Sequence, residues 1–252
     1  MTPRPIIIDC DPGQDDAVAL FLALASPDDL DLLGVTAVAG NVPLALTERN
    51  ARVMCEVADR REVPVFAGCD KPLIREAITA EYIHGENGID GMDIFEPEMP
   101  LQEQHAVRFL LETLRSAQPA SITLVPTGPL TNIAAALVED PRIAGNIKEI
   151  VLMGGAMREG GNHTPSAEFN ILADPHAADI VFSCGRPLTV MGLDVTHKVL
   201  STRARVDRIA ALGNPVADAT AGMLSFFHRY DVEKYDSPGA PLHDPCTVAY
   251  LL

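Results

Sequence analysis

Tryptophan is absent from the 252 residues and aromatic side chains make up only 5%, so no site in this chain rests on indole stacking. Basic residues are scarce too: Lys+Arg 19 stand against Asp+Glu 35, a formal charge of −16. A protein that grips nucleic-acid backbones needs a basic face, because its affinity comes from neutralising phosphates. An anionic membrane surface repels the same charge. Neither nucleic acid nor membrane is therefore expected as a partner. No apolar run approaches the roughly 20 residues of a membrane span. The opening MTPRPIIIDCDPG meets aspartates after three isoleucines, without the longer apolar run and small-residue cleavage site of a secretory signal. The five cysteines, Cys10, Cys55, Cys69, Cys184 and Cys246, include no C-x-x-C pair. That argues against a disulfide framework or zinc site and for reduced thiols in a cytoplasmic protein. No repeat, low-complexity tract or linker divides the chain, so residues 1–252 read as one domain.

What is present is alternation. The strand-like runs PIIID, LLGVTAVAGN, VPVFAG, SITLVPTG, EIVLMGGA and LTVMGLDVT are separated by helical patterns. These patterns include DDAVALFLALAS, LTERNARVMCEVADR, HAVRFLLETLRSA and DPHAADIVFS. Continuous β-branched runs fit strands buried on both faces, and their alternation with helices predicts an α/β fold with an open, mostly parallel sheet. Ligands bind such sheets outside the carboxyl ends of the strands. The polar clusters fall there: Asp9 to Asp16 after the first run, Asn41 after the second, Thr127 after SITLVP. Two Gly-rich stretches, HGENGIDG at 84–91 and REGGNHTPSAEFN at 158–170, interrupt the pattern, and long irregular segments are usually functional.

Asp9, Asp11, Asp15 and Asp16 crowd into IIIDCDPGQDD. Helix capping accounts for one or two acids but not four. An EF-hand loop would need Gly and Glu where Gln14 and Leu20 stand. An aspartyl-phosphate hydrolase with Mg²⁺ also places D-x-D after its first strand, and remains an alternative. A cation held by hard oxygen ligands, Mg²⁺ or Ca²⁺, removes the repulsion and explains the cluster best.

The segment DCDPGQDDAVAL resembles the amino-terminal signature of the nucleoside hydrolases. The likeness continues in order through GN at 40–41, HGENG at 84–88, TLVPTGPLTN at 123–132, VLMGGA at 151–156, AEFNILADP at 167–175 and HDP at 243–245. That resemblance implies a Rossmann-like nucleoside hydrolase fold. It also implies Ca²⁺-dependent cleavage of ribonucleosides to ribose and free base in purine and pyrimidine salvage. It places the metal on Asp11, Asp16, the Thr127 main chain and Asp244, with Asp11 also general base and Asp9 orienting the loop. The substrate falls to Asp15, Asn41, Asn162, Glu168 and Asn170. His243 and His84 become candidates for assisting the departing base. Met153 is either a pocket residue or a core strand-end methionine. Phe226, His228 and Tyr230 can border the base, while His105 and His176 read as surface residues. Family members usually continue for several tens of residues, so this chain is expected to be C-terminally short beside them. A homo-oligomer, dimer or tetramer, is expected. The absence of tryptophan and the reliance on histidine suggest an inosine–uridine type or pyrimidine-leaning hydrolase. The non-enzymatic alternative is a nucleoside-binding protein, against which intact Asp11 and His243 argue.

Overall fold

The computed structural model describes residues 2–235 and 237–252, with the backbone alone for 231–235. Six parallel strands form the central sheet: β1 (Arg4–Cys10), β2 (Leu30–Ala37), β3 (Val65–Ala67), β4 (Ile122–Pro126), β5 (Ile147–Met153) and β6 (Leu188–Met191). Their order is β3-β2-β1-β4-β5-β6, all pairings parallel. All six expected runs are therefore strands.

The isoleucine run shows why the sheet is covered twice. Side chains alternate along a strand, so Ile6 and Ile8 enter one apolar cluster and Ile7 the other. The first cluster takes the helices Gln14–Leu24, Leu44–Val57 and Pro245–Leu251; the second takes Ala106–Ser116, Thr131–Glu139 and Pro175–Phe182. All three isoleucines are fully buried, at roughly 1.5–3 kcal/mol of hydrophobic stabilisation each. A separate antiparallel pair, β7 (Leu200–Thr202) with β8 (Gly239–Pro241), flanks the long helix Pro215–Tyr235. It returns the chain to the sheet, delivering His243 and Asp244 to the end of Pro245–Leu251. Among the described residues no helix is long and apolar enough to cross a membrane.

Candidate active site

With this strand order the sheet reverses between β1 and β4, and a crevice opens outside their carboxyl ends. Asp9 on β1 pairs with Pro126 on β4. The acidic segment leaves β1 there, and Thr127 leaves β4. The helix Gln14–Leu24 starts on the next turn and carries Asp15 and Asp16 in its first turn.

The floor is tightly tied. Asp11 Oδ2 accepts the Asn41 main-chain N–H at 2.7 Å, while Oδ1 is buried without a partner. A Cβ on Gly40 would stand 2.1 Å from Asp11 Oδ2, and one on Gly128 2.4 Å from Oδ1, so only glycine lets both backbones close on the carboxylate. Asp16 Oδ2 accepts from Gly13 N–H at 3.0 Å, tying down the helix start, and from Asn41 Nδ2 at 3.3 Å. Its Oδ1 accepts the Thr127 hydroxyl at 2.7 Å. Asp15 and Asp244 are close enough to hydrogen-bond each other. Deeper still, Asp9 Oδ1 accepts from the Thr36 hydroxyl at 2.5 Å and Asn132 Nδ2 at 2.8 Å.

Burial pushes Asp9 and Asp15 up to about 7, the charge of Asp16 adding to the shift at Asp15. Burial, with the neighbouring aspartates, holds Asp11 and Asp244 well above the usual carboxylate range, and burial raises Asp16 too. Five such groups resist ionising together unless a cation neutralises them. Carboxylate oxygens of Asp15, Asp16 and Asp244 lie within 4.8 Å of one another. Asp11 Oδ1 and Asp15 Oδ1 are buried and unpartnered. An all-oxygen donor set with orphaned oxygens fits a hard divalent cation. This trio includes Asp15, expected on the substrate, and leaves out Asp11. The Thr127 main-chain oxygen accepts Asn170 Nδ2 at 2.6 Å, which leaves it a second lone pair.

Above the floor lies an open cleft. Every residue expected to contact substrate lines it: Asp15, Asn41, His84, Asn162, Glu168 and Asn170, together with His243, Thr127 and Asp244. Glu168 has a second task, since its carboxylate accepts the N–H groups of Gly155, Asn170 and Ile171 at 2.9–3.1 Å and caps the helix Phe169–Ala173. Asn162 Oδ1 accepts the Phe169 N–H at 2.9 Å, fixing the same wall. Met153, a buried strand-end methionine, also lines the cleft, so both of its readings hold.

Burial pulls both His84 and His243 down to about 3. His243 Nδ1 lies 2.7 Å from the Thr196 hydroxyl. Phe226, His228 and Tyr230 do not line the cleft; Phe227 does. Phe226 lies under the Arg229 guanidinium, 3.7 Å from its ring centre. The spacing Thr220–Leu224–Phe227 marks the buried face of that helix and was the available signal. Tyr82 and His163 on the rim, 3.3 Å apart between Oη and Nδ1, also went unnoticed in the sequence. His105 and His176 are exposed, as expected.

The family profile described as inosine-uridine preferring nucleoside hydrolase matches residues 6–252. A pyrimidine-specific ribonucleoside hydrolase of Salmonella typhimurium is 50% identical over 250 residues, covering 98% of this chain and 79% of that protein. An uncharacterized protein of Schizosaccharomyces pombe is 49% identical over 247 residues, with 98% and 79% covered. Among solved structures, a plant nucleoside hydrolase matches with TM-score 0.93 at 36% identity, over 99% of this chain and 78% of that one. A purine-preferring ribonucleoside hydrolase from Gardnerella vaginalis matches with TM-score 0.92 at 36% identity, over 98% and 79%.

Proposed function

The chain belongs to the inosine-uridine preferring nucleoside hydrolase family, and from that premise we propose a Ca²⁺-dependent enzyme that leans toward pyrimidine nucleosides. It is a ribonucleoside N-glycosyl hydrolase. The observation that carries the calcium reading is the set of buried aspartates with unpartnered oxygens under the cleft. Asp11, Asp16, Asp244, the Thr127 main chain and the adjoining Asp15 would hold the cation, which would neutralise the carboxylates and acidify nearby water.

The chain's own groups do the rest. Asp11 accepts the proton of the attacking water on Oδ1, while the Asn41 N–H bond to Oδ2 aims that lone pair. Departure of the base leaves positive charge on the ribose. Asp15 and Glu168, with Asn41, Asn162 and Asn170, surround the cleft and oppose it with negative charge and oriented dipoles. His243, its Nδ1 2.7 Å from the Thr196 hydroxyl, supplies the proton that the departing base takes up.

The pyrimidine preference draws support from the name of the Salmonella relative and from a base wall of single aromatics, Phe169 and Phe227, without tryptophan. The five free cysteines support a reducing, cytoplasmic setting. A symmetric homo-oligomer remains part of the proposal. Reducing-sugar release from uridine, cytidine, inosine, adenosine and guanosine, with and without chelator, tests the reading. Sugar release that is greatest with pyrimidines, and abolished by chelator until Ca²⁺ is restored, is expected. Chelator-insensitive turnover would refute the calcium dependence, and a clear purine preference would refute the base assignment.

A further inference from the structure

Gln14 stands just ahead of the acidic pair and takes no part in the chemistry above. Its side chain is fully buried. Nε2 lies 2.8 Å from the main-chain oxygen of His84 and 3.1 Å from that of Asp90. Carbonyl oxygens only accept, so the amino end of the carboxamide must face them, and this network sets the amide's orientation. Oε1, 2.8 Å from His84 Nδ1, is then an acceptor. His84 Nδ1 must carry the hydrogen. The ring lines the cleft, is 7% exposed and packs against Phe227 with centroids 5.5 Å apart. Such an enclosure keeps imidazole uncharged, in line with the fall of its pKa to about 3. In a neutral ring protonated on Nδ1, Nε2 is a bare lone pair.

We propose that Gln14 is a positioning residue that locks His84 as a hydrogen-bond acceptor toward the cleft. His84 then recognises an O–H or N–H donor of the substrate and delivers no proton to the base. The identity of that donor, and nothing else in the proposal, rests on the nucleoside reading. A uridine offers two donors of this chemistry besides its ring hydroxyls, the 5′-hydroxyl and the base N3–H.

Long-range ¹H–¹⁵N spectra of histidine-labelled, Ca²⁺-loaded protein decide the lock without turnover. The His84 signals, identified by their loss in His84→Asn, are expected to show a neutral ring protonated on Nδ1. A ring protonated on Nε2, or on both nitrogens, overturns the proposal even if every variant fails to fold. Gln14→Met keeps similar bulk and has no acceptor of comparable strength. It is expected to release His84 into a mixture of tautomers and to raise KM for uridine about three- to tenfold, one neutral hydrogen bond's worth, with little change in kcat. On 5′-deoxyuridine and N3-methyluridine, the analogue missing the recognised donor is expected to show no KM penalty from Gln14→Met. An equal penalty on uridine and both analogues overturns the proposal. Absence of turnover by the unaltered enzyme would refute the functional reading instead, and the spectra would still decide Gln14.

Discussion

The floor of the cleft draws Asp11 and Thr127 from just past the ends of two adjacent central strands and Asp16 from the first turn of the helix that follows, whereas its rim draws Tyr82 and Ile83 from the short helix Glu81–His84, His163 from an irregular segment and Phe227 from one face of a long helix. Floor carboxylates are held by N–H and O–H donors at 2.7–3.0 Å and by glycines that admit no side chain. On the rim, Tyr82 is 56% exposed, and its bond to His163 spans two separate segments. A geometry fixed by paired strands resists a shift, since moving one acid means moving the sheet. Loop residues exchange without disturbing the core. Under the proposed function, chemistry belongs to the floor and base preference to the rim.

Substitutions on the floor are the sharpest way to break this division. Asp11→Asn keeps the acceptor for Asn41 and removes the base. A drop in kcat of about 10²–10⁴-fold is expected with the fold retained, as steady-state kinetics and circular dichroism would show; a loss under about tenfold would move the base elsewhere. Gly40→Ala comes next. Its new methyl would overlap Asp11 Oδ2, 2.1 Å away, and push the carboxylate off line. Misplacement on the order of 1 Å costs up to about 10²-fold, and kcat is expected to fall more than KM rises. Unchanged kcat in Gly40→Ala would mean that Asp11 does not need its clamp.

A smaller effect is expected in stability against pH. Above about pH 7.5 His84 and His243, pulled down to about 3, are neutral in folded and unfolded chain alike and contribute little slope. Asp9 and Asp15, raised to about 7, still hold protons that the unfolded chain has already lost. The folded state binds more protons there, so the metal-free protein loses stability as pH rises above about 7.5. Under the proposed function, Ca²⁺ would replace those protons and stabilise the native state by mass action. Thermal melts with chelator are expected to slope downward over that window, and melts with Ca²⁺ to be higher and flatter. A chelated protein whose Tm is flat or rises would contradict the electrostatics of the floor.

The same division governs what could be read in advance. The six strands were legible because each is a continuous apolar run, and the floor because D-x-D-P-G-x-D-D fixes its spacing on one strand end and one helix start. β7 and β8 were not, being three residues each, too short for alternation to register. The meeting of Asp15 and Asp16 with Asp244 was not legible, because Asp244 arrives only through the return of a distant segment. On the rim, Phe226, His228 and Tyr230 read as able to border the base, whereas Phe227 lines the cleft, one residue beyond Phe226 and turned from it by about 100°. The burial that lowers the pKa of His84 and His243 is a property of the folded packing and is not legible in the sequence.

The smallest expected effect is at Tyr82→Phe. The variant keeps the ring, its edge contact with Tyr230 at 6.0 Å and its part in the cleft wall. It removes the hydroxyl that meets His163 Nδ1 at 3.3 Å, a long contact in an exposed position. Water can replace such a bond on either side, so its net worth lies at the low end of about 0.5–1.5 kcal/mol. The expected result is a KM change below about threefold, unchanged kcat and unchanged Ca²⁺ dependence of the melting curve. The comparison across bases sharpens it: any KM change should differ between uridine and inosine, whose bases meet the rim differently, while their common ribose sits over the same floor. A fall in kcat comparable to that of Gly40→Ala, equal for both nucleosides, would place the rim in the chemistry and end the separation of floor from rim.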